Sequence, residues 1–285
     1  MSVETSLITK TNKTPEKLDK NSEYRKELLT ILQSIVQEIN GELGDKLLSA
    51  DGAVSRKGYN FSEKDLADQK QYISKKEDHW IRQKYEIKAN DPVTEEIKLK
   101  WEKEQQKRLS ELMEMAVMVI LHKVLKEDYV VCRANKYDDY HGVDNIIVNK
   151  HTGTVLCAFD DVKDKSGGYY EWQKEEYATK YGSSNIAYGF TFEAGELVRK
   201  EIAEVPKFYL RFDKKQLENM LKAIDYKNIN PANNEELLVY NFIIESLASQ
   251  IDDLKKQGAN NQLVTDKLDN FKALLPNLRD RGKIK

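Results

Sequence analysis

Residues 111–125 read ELMEMAVMVILHKVL, and as a helix they carry apolar side chains on nearly every face. A helix apolar all round has no solvent side and must lie inside the protein. The residues just before it, from about Thr94, are dense in Lys, Glu and Gln. The pattern predicts one long helix from about Thr94 to Lys126, entering from a solvated arm and ending in the core. Whatever this chain folds into, it must pack other elements around that second half.

Amphipathic helices stand ready on both sides. Leu28, Leu29, Ile31, Leu32, Ile35, Val36 and Ile39 recur at helical spacing over about 22–49, loosening near Gly41 and Gly44. Residues 50–63 read as a loop, and 62–86 as a charged helix that Asp91-Pro92 keeps from continuing. At the far end, Asp213 can cap a helix through Ala223. Leu237, Leu238, Phe242, Ile243, Leu247, Ile251 and Leu254 mark another over 234–257, and a last helix spans about 261–275. Residues 1–21, rich in Lys, Thr and Asn, read as a disordered tail.

Between these arms the period changes. Short β-branched runs occur at Tyr129–Arg133, Gly142–Val148 and Thr154–Lys163, the last two joined across Asn149–Gly153 as a hairpin. A helix over Tyr169–Tyr181, a strand at Ile186–Phe190 and another at Val205–Phe212 complete the run. The fold class is therefore α/β, with helical extensions at both ends.

Bulk properties exclude more than they assign. The net charge is −2, with 46 Lys and Arg against 48 Asp and Glu, so the chain has no strong general field for nucleic acid. Two cysteines, Cys132 and Cys157, sit in strand-like runs and cannot alone supply a four-cysteine zinc or iron–sulfur site. No run approaches the roughly 18 apolar residues of a membrane span, and the first residues lack a secretory signal's apolar core. The expected location is cytoplasmic, with no membrane partner.

Three polar residues stand where a plain sheet would not put them. Asp144 opens one strand of the hairpin; Asp161 and Lys163 lie on the other, two apart and so on one face. Pairing through the turn brings two carboxylates and an ammonium together. Phosphodiester hydrolysis uses such a set: carboxylates hold a divalent ion that neutralises phosphate charge, and a cation orients water or steadies the transition state. Taken alone, Asp-x-Lys is a common solvated strand end.

The stretch His141-Gly-Val-Asp144 … Phe159-Asp-Asp161-Val-Lys163, with its order of helix, strands, helix and strand, resembles the PD-(D/E)XK nuclease superfamily. The resemblance covers roughly residues 105–190 and implies an αβββαβ restriction-endonuclease-like core. It also implies Mg2+ (or Mn2+) as cofactor and nucleic acid, DNA in the first place, as substrate. Asp144 matches the first acid, Asp161 the second and Lys163 the lysine, and the carbonyl of Val162 is a further metal ligand. The family's proline before the first acid is absent, since residue 143 is Val. Gln173 and Tyr177, four apart on the following helix, look like the Gln-x-x-x-Tyr of RecB-like exonucleases. Glu114, a carboxylate among apolar neighbours, is the expected extra acid from the core helix, preferred to Glu111, with His122 as the competing ligand.

The organisation this implies is a tail (1–21), a helical extension (22–103), the nuclease-like core (104–212) and a second helical extension (213–285). The function expected is metal-dependent hydrolysis of phosphodiester bonds. The alternative is a non-catalytic module of the same fold that binds or assembles through its arms. Packing of helices 22–49 and 234–257 on each other or on a second copy, as a homo-oligomer, would cover their apolar stripes.

Overall fold

A computed structural model of the chain describes residues 20–105, 108–163, 182–230, 232–257 and 261–284, and not the side chains of residues 161–163 and 257. The helical arm opens with α1 (Lys20–Glu42), which buries Leu28, Ile31, Leu32, Ile35, Val36 and Ile39 along one stripe. Next comes α2 (Glu63–Lys84), started by a reciprocal cap between Ser62 and Asp65. The expected single helix over 94–126 is instead two, α3 (Glu95–Gln105) and α4 (Leu109–Leu125). Arg108 before α4 is extended, at φ −68° and ψ 137°. The break lets the charged segment pack on α2. There Trp101 is buried, with Lys84 5.5 Å and Arg108 4.7 Å from its ring, and Lys84 pairs with Glu104.

After α4 follow β1 (Tyr129–Arg133), the short α5 (Lys136–Asp139), β2 (Asn145–Asn149) and β3 (Val155–Lys163). Then come β4 (Ser183–Ile186), β5 (Phe190–Glu193), β6 (Glu196–Arg199) and β7 (Ile202–Phe212). Five of these strands make one sheet in the order β1-β2-β3-β7-β4, parallel between β3 and β7 and antiparallel elsewhere. The fold is thus mixed α/β around a mostly antiparallel sheet. The strand expected at 186–190 ends at Ile186, and Phe190 opens a separate β5/β6 hairpin. That hairpin turns on Ala194 and Gly195, both left-handed (φ 52° and 83°), as a tight two-residue hairpin requires.

The chain ends in α6 (Lys214–Ala223), α7 (Asn234–Gln257) and α8 (Gln262–Arg281). Asp213 caps α6 reciprocally with Gln216. Both α1 and α7 pack on α4. Most of their apolar stripes is therefore covered within the chain, with α4 as their shared partner, while Leu238 and Phe242 of α7 stay exposed. Twelve residues of α4 are buried, as its all-round apolar character demands. Among the described residues no helix is long and apolar enough to cross a membrane.

Candidate acidic cleft

Asp144 is placed by backbone on both sides. Its N–H donates to the Phe159 carbonyl at 3.0 Å, and its carbonyl accepts from the Ala134 N–H at 2.8 Å. The approach is a tight turn off α5, where the Val143 N–H donates to Asp138 and the Gly142 N–H to Asp139. Gly142 turns through φ +79°, a conformation that side chains resist. Asp144 is 7% exposed and lines a cleft with Glu111, Glu114, Arg133, Asp139 and Asp160.

The aspartate level with Asp144 is Asp160, 3% exposed and lining the same cleft. A bulge decides this. Ile147 pairs with Cys157 but Val148 pairs with Val155, so Leu156 is the extra residue. Counted straight back from Val148 and Val155, Asp144 falls opposite Phe159, two residues from Asp161. The bulge moves the register by one, so Asn145 pairs with Phe159 and Asp144 stands level with Asp160. On the other side of β3, Asp160 pairs in register with Tyr209 and Ala158 with Lys207. The Lys207 ammonium is 3.9 Å from the Asp160 carboxylate and 3.5 Å from the His141 carbonyl. Burial, with the Asp160 and Asp144 charges added, pushes the Tyr209 hydroxyl above its ordinary range.

Glu114 lines the same cleft, but Arg133 donates to its carboxylate at 2.6 Å. Burial pushes the Glu114 carboxyl up and Arg133 pulls it back. Glu111 lines the cleft too, paired with Arg25 at 2.6 Å. His122 is away from it, buried 3.8 Å from Glu38, with burial lowering the imidazole to about 4. It is a neutral packing residue at ordinary pH.

Asp161, Val162 and Lys163 are placed by backbone register only, opposite Leu210, Arg211 and Phe212. Gln173 and Tyr177 lie outside the described residues, as do the lysines at 165, 174 and 180 that could rim the site. Neither Lys207, Tyr209 nor Asp160 stands out in the sequence. Their signal is register across two strand pairs, and a bulge hides it.

Asp144 and Asp160 offer carboxylate oxygen, the donor that magnesium or manganese takes. They make part of such a donor set and not all of it. Among the described residues no group of three or more His, Cys, Asp or Glu is gathered to hold a metal ion. No protein-family model, no curated protein and no solved structure matches this chain.

Proposed function

We propose that the chain is a nuclease of the PD-(D/E)XK kind, hydrolysing phosphodiester bonds of nucleic acid, DNA in the first place, in the cleft that holds Asp144 and Asp160. The observation that carries the reading is these two buried carboxylates, level with each other on paired strands and lining one cleft, with Lys207 3.9 Å from Asp160. A group of like charges out of water is costly and needs a use. Part of the element order supports it as well: α4, then β1, β2 and β3, with β7 parallel to β3 after the intervening β4, β5 and β6. A restriction-endonuclease-like core of αβββαβ type shares the helix, the three strands and the later parallel strand; its second helix, expected over Tyr169–Tyr181, lies outside the described residues.

Asp144 and Asp160 would hold the divalent ion. The resemblance would put Asp161 in place of Asp160, not beside it, since neighbouring strand positions alternate faces, with the Val162 carbonyl as a further ligand. Bound there, Mg2+ or Mn2+ would supply Lewis acidity toward the phosphate oxygens. The chain's own part is to hold the carboxylates rigidly on paired strands and to bring cations against the phosphate. On the reading by resemblance, with Asp161 as the acid, Lys163 is one of these. In the reaction, water oxygen bonds to phosphorus, the ester bond to the leaving sugar oxygen breaks, and that oxygen takes up a proton as water gives one up.

The second reading is a non-catalytic binding module, and the Arg133–Glu114 pair favours it, because it occupies the acid expected to complete the site. One assay separates the two. Linear, circular and single-stranded DNA, and RNA, are incubated with the protein and Mg2+ or Mn2+, with and without chelator. The nuclease reading expects chelator-sensitive cleavage that Asp144→Asn abolishes. Binding without cleavage, or cleavage indifferent to Asp144→Asn, would overturn it.

A further inference from the structure

We infer that Lys207, reaching from β7 across the parallel pair, is a phosphate-facing cation of this site. The inference deepens the nuclease reading and rests on it. Lys207 and Tyr209 are two apart on β7 and share the face of Ala158 and Asp160, their partners on β3. The lysine side chain is 13% exposed and the Asp160 side chain 4%. An ammonium held this far out of water beside a buried carboxylate is costly to place unless it does something there.

The chain leaves room for this contact at one position. A Cβ added to Gly142 would lie 2.6 Å from the Lys207 Nζ and 2.9 Å from the Asp160 Oδ2. Gly142 is favoured by its φ of +79°, and a side chain there would also have to push aside the lysine and carboxylate ends that meet over it. It sits two residues before Asp144, so one tight turn both presents the first acid and admits the ammonium.

The two clefts of this face meet at the same point. Gly142, Asp144 and Asp160 line one, while Lys207 and Tyr209 line its neighbour with His141 and five carboxylates, Asp65, Asp68, Asp138, Glu201 and Glu204. Among the described residues Lys207 is the one lysine or arginine in the neighbouring lining, so an anion drawn into that cleft has the ammonium as its point of attachment, with Asp160 3.9 Å behind it. A phosphate diester fits that order, since its charge needs a cation on the solvent side of an acidic floor. A lysine serving only to neutralise Asp160 would not need a cleft wall.

The test uses the full chain and its Lys207→Gln, Lys207→Arg and Lys200→Gln variants. Lys200 pairs with Glu193 on the β5/β6 hairpin and is the control. Cleavage of a fluorescein-labelled oligonucleotide with Mn2+ gives kcat and KM, and fluorescence anisotropy in chelator gives metal-free binding. Lys207→Gln should lower kcat by about 100-fold, the loss typical of one transition-state donor, while Lys200→Gln leaves it unchanged. Lys207→Arg keeps the charge beside Asp160, but its planar fork cannot replace a compact ammonium over Gly142, so kcat should fall about tenfold. Wild-type kcat in Lys207→Gln overturns the inference and leaves the nuclease reading standing. Should Lys207→Gln not fold, as its melting curve would reveal, wild-type kcat in Lys207→Arg overturns it equally. If the wild-type protein cleaves nothing, the nuclease reading fails and the anisotropy decides: weaker binding in Lys207→Gln than in Lys200→Gln supports a phosphate-facing Lys207, and equal binding overturns it.

Discussion

Arg133 donates to Glu114 at 2.6 Å with both side chains nearly out of solvent, tying the end of β1 to α4 in the wall of the acidic cleft. Removing one partner of such a pair strands the other charge. Arg133→Met should therefore cost about 3 kcal/mol, toward the low end for buried pairs because both groups keep some exposure. Replacing both partners with Met should recover most of that loss. Urea denaturation of the two variants checks this; a double variant no better than the single would show that the pair is not the source of the cost.

A second buried pair joins α4 to the start of α7. Lys123 and Glu236 are both 0% exposed as side chains, and Glu236 also accepts from the N–H groups of Asp225 at 3.0 Å and Asn233 at 2.8 Å. One carboxylate thus fastens the whole connection after α6. Lys123→Met should destabilise by about 3 to 5 kcal/mol, since Glu236 loses its only described cation in a dry site. Hydrogen exchange should accelerate most over residues 224–236. Uniform acceleration across the chain would contradict that local role.

Asp138 supplies the pH dependence. Its carboxylate accepts from the Ala187 N–H at 2.8 Å and the Tyr188 N–H at 3.0 Å, anchoring the turn after β4. Burial raises its carboxyl to about 6 from the ordinary 3.8, outweighing those two donors. A carboxyl raised on folding favours the folded state when protonated. Its contribution is present below about pH 4 and is lost as pH rises through about 6. The loss should be roughly 2 to 3 kcal/mol by the usual conversion of a shift into energy. The melting temperature of wild type relative to Asp138→Asn should accordingly fall between those pH values. A constant difference would mean that Asp138 does not titrate there.

Legibility followed the range of the interactions. Helices α1, α6 and α7 could be read because spacing and caps are local: the Asp213 cap and the bounds of α7 are written in adjacent residues. The break at Arg108 was not legible, because it is driven by burial of Trp101 on α2, an element some twenty residues upstream. The hairpin at 190–199 hid behind its left-handed Ala194, where a Gly or Asn would have announced the turn. At the site, Asp144 was legible as a charge opening an apolar strand, and Glu114 as a carboxylate in an apolar helix. Which aspartate faces Asp144 depends on one bulged residue, Leu156, and a slip of one residue exchanges the faces of a strand.

That slip can be tested directly. With Leu156 bulged, Asp160 stands level with Asp144, and Asp160→Asn should weaken Mn2+ binding more than Asp161→Asn does. Each change removes a charge and keeps the shape, so the order of the two affinities reads the register and not the packing. Lys163→Ala, by the resemblance, should abolish cleavage while leaving Mn2+ bound, and can tighten the ion because a like charge is gone. Oligonucleotide binding should largely survive that change, since other basic groups carry most phosphate contacts. Metal titration and nuclease assays on the three variants provide the measurement. If Asp161→Asn proves the more damaging, β3 pairs without the bulge when the site is working, and Asp161 replaces Asp160 as the partner of Asp144. Full activity and unchanged Mn2+ affinity in all three would make the acidic cleft a structural feature of the sheet edge, and the nuclease reading would go with it.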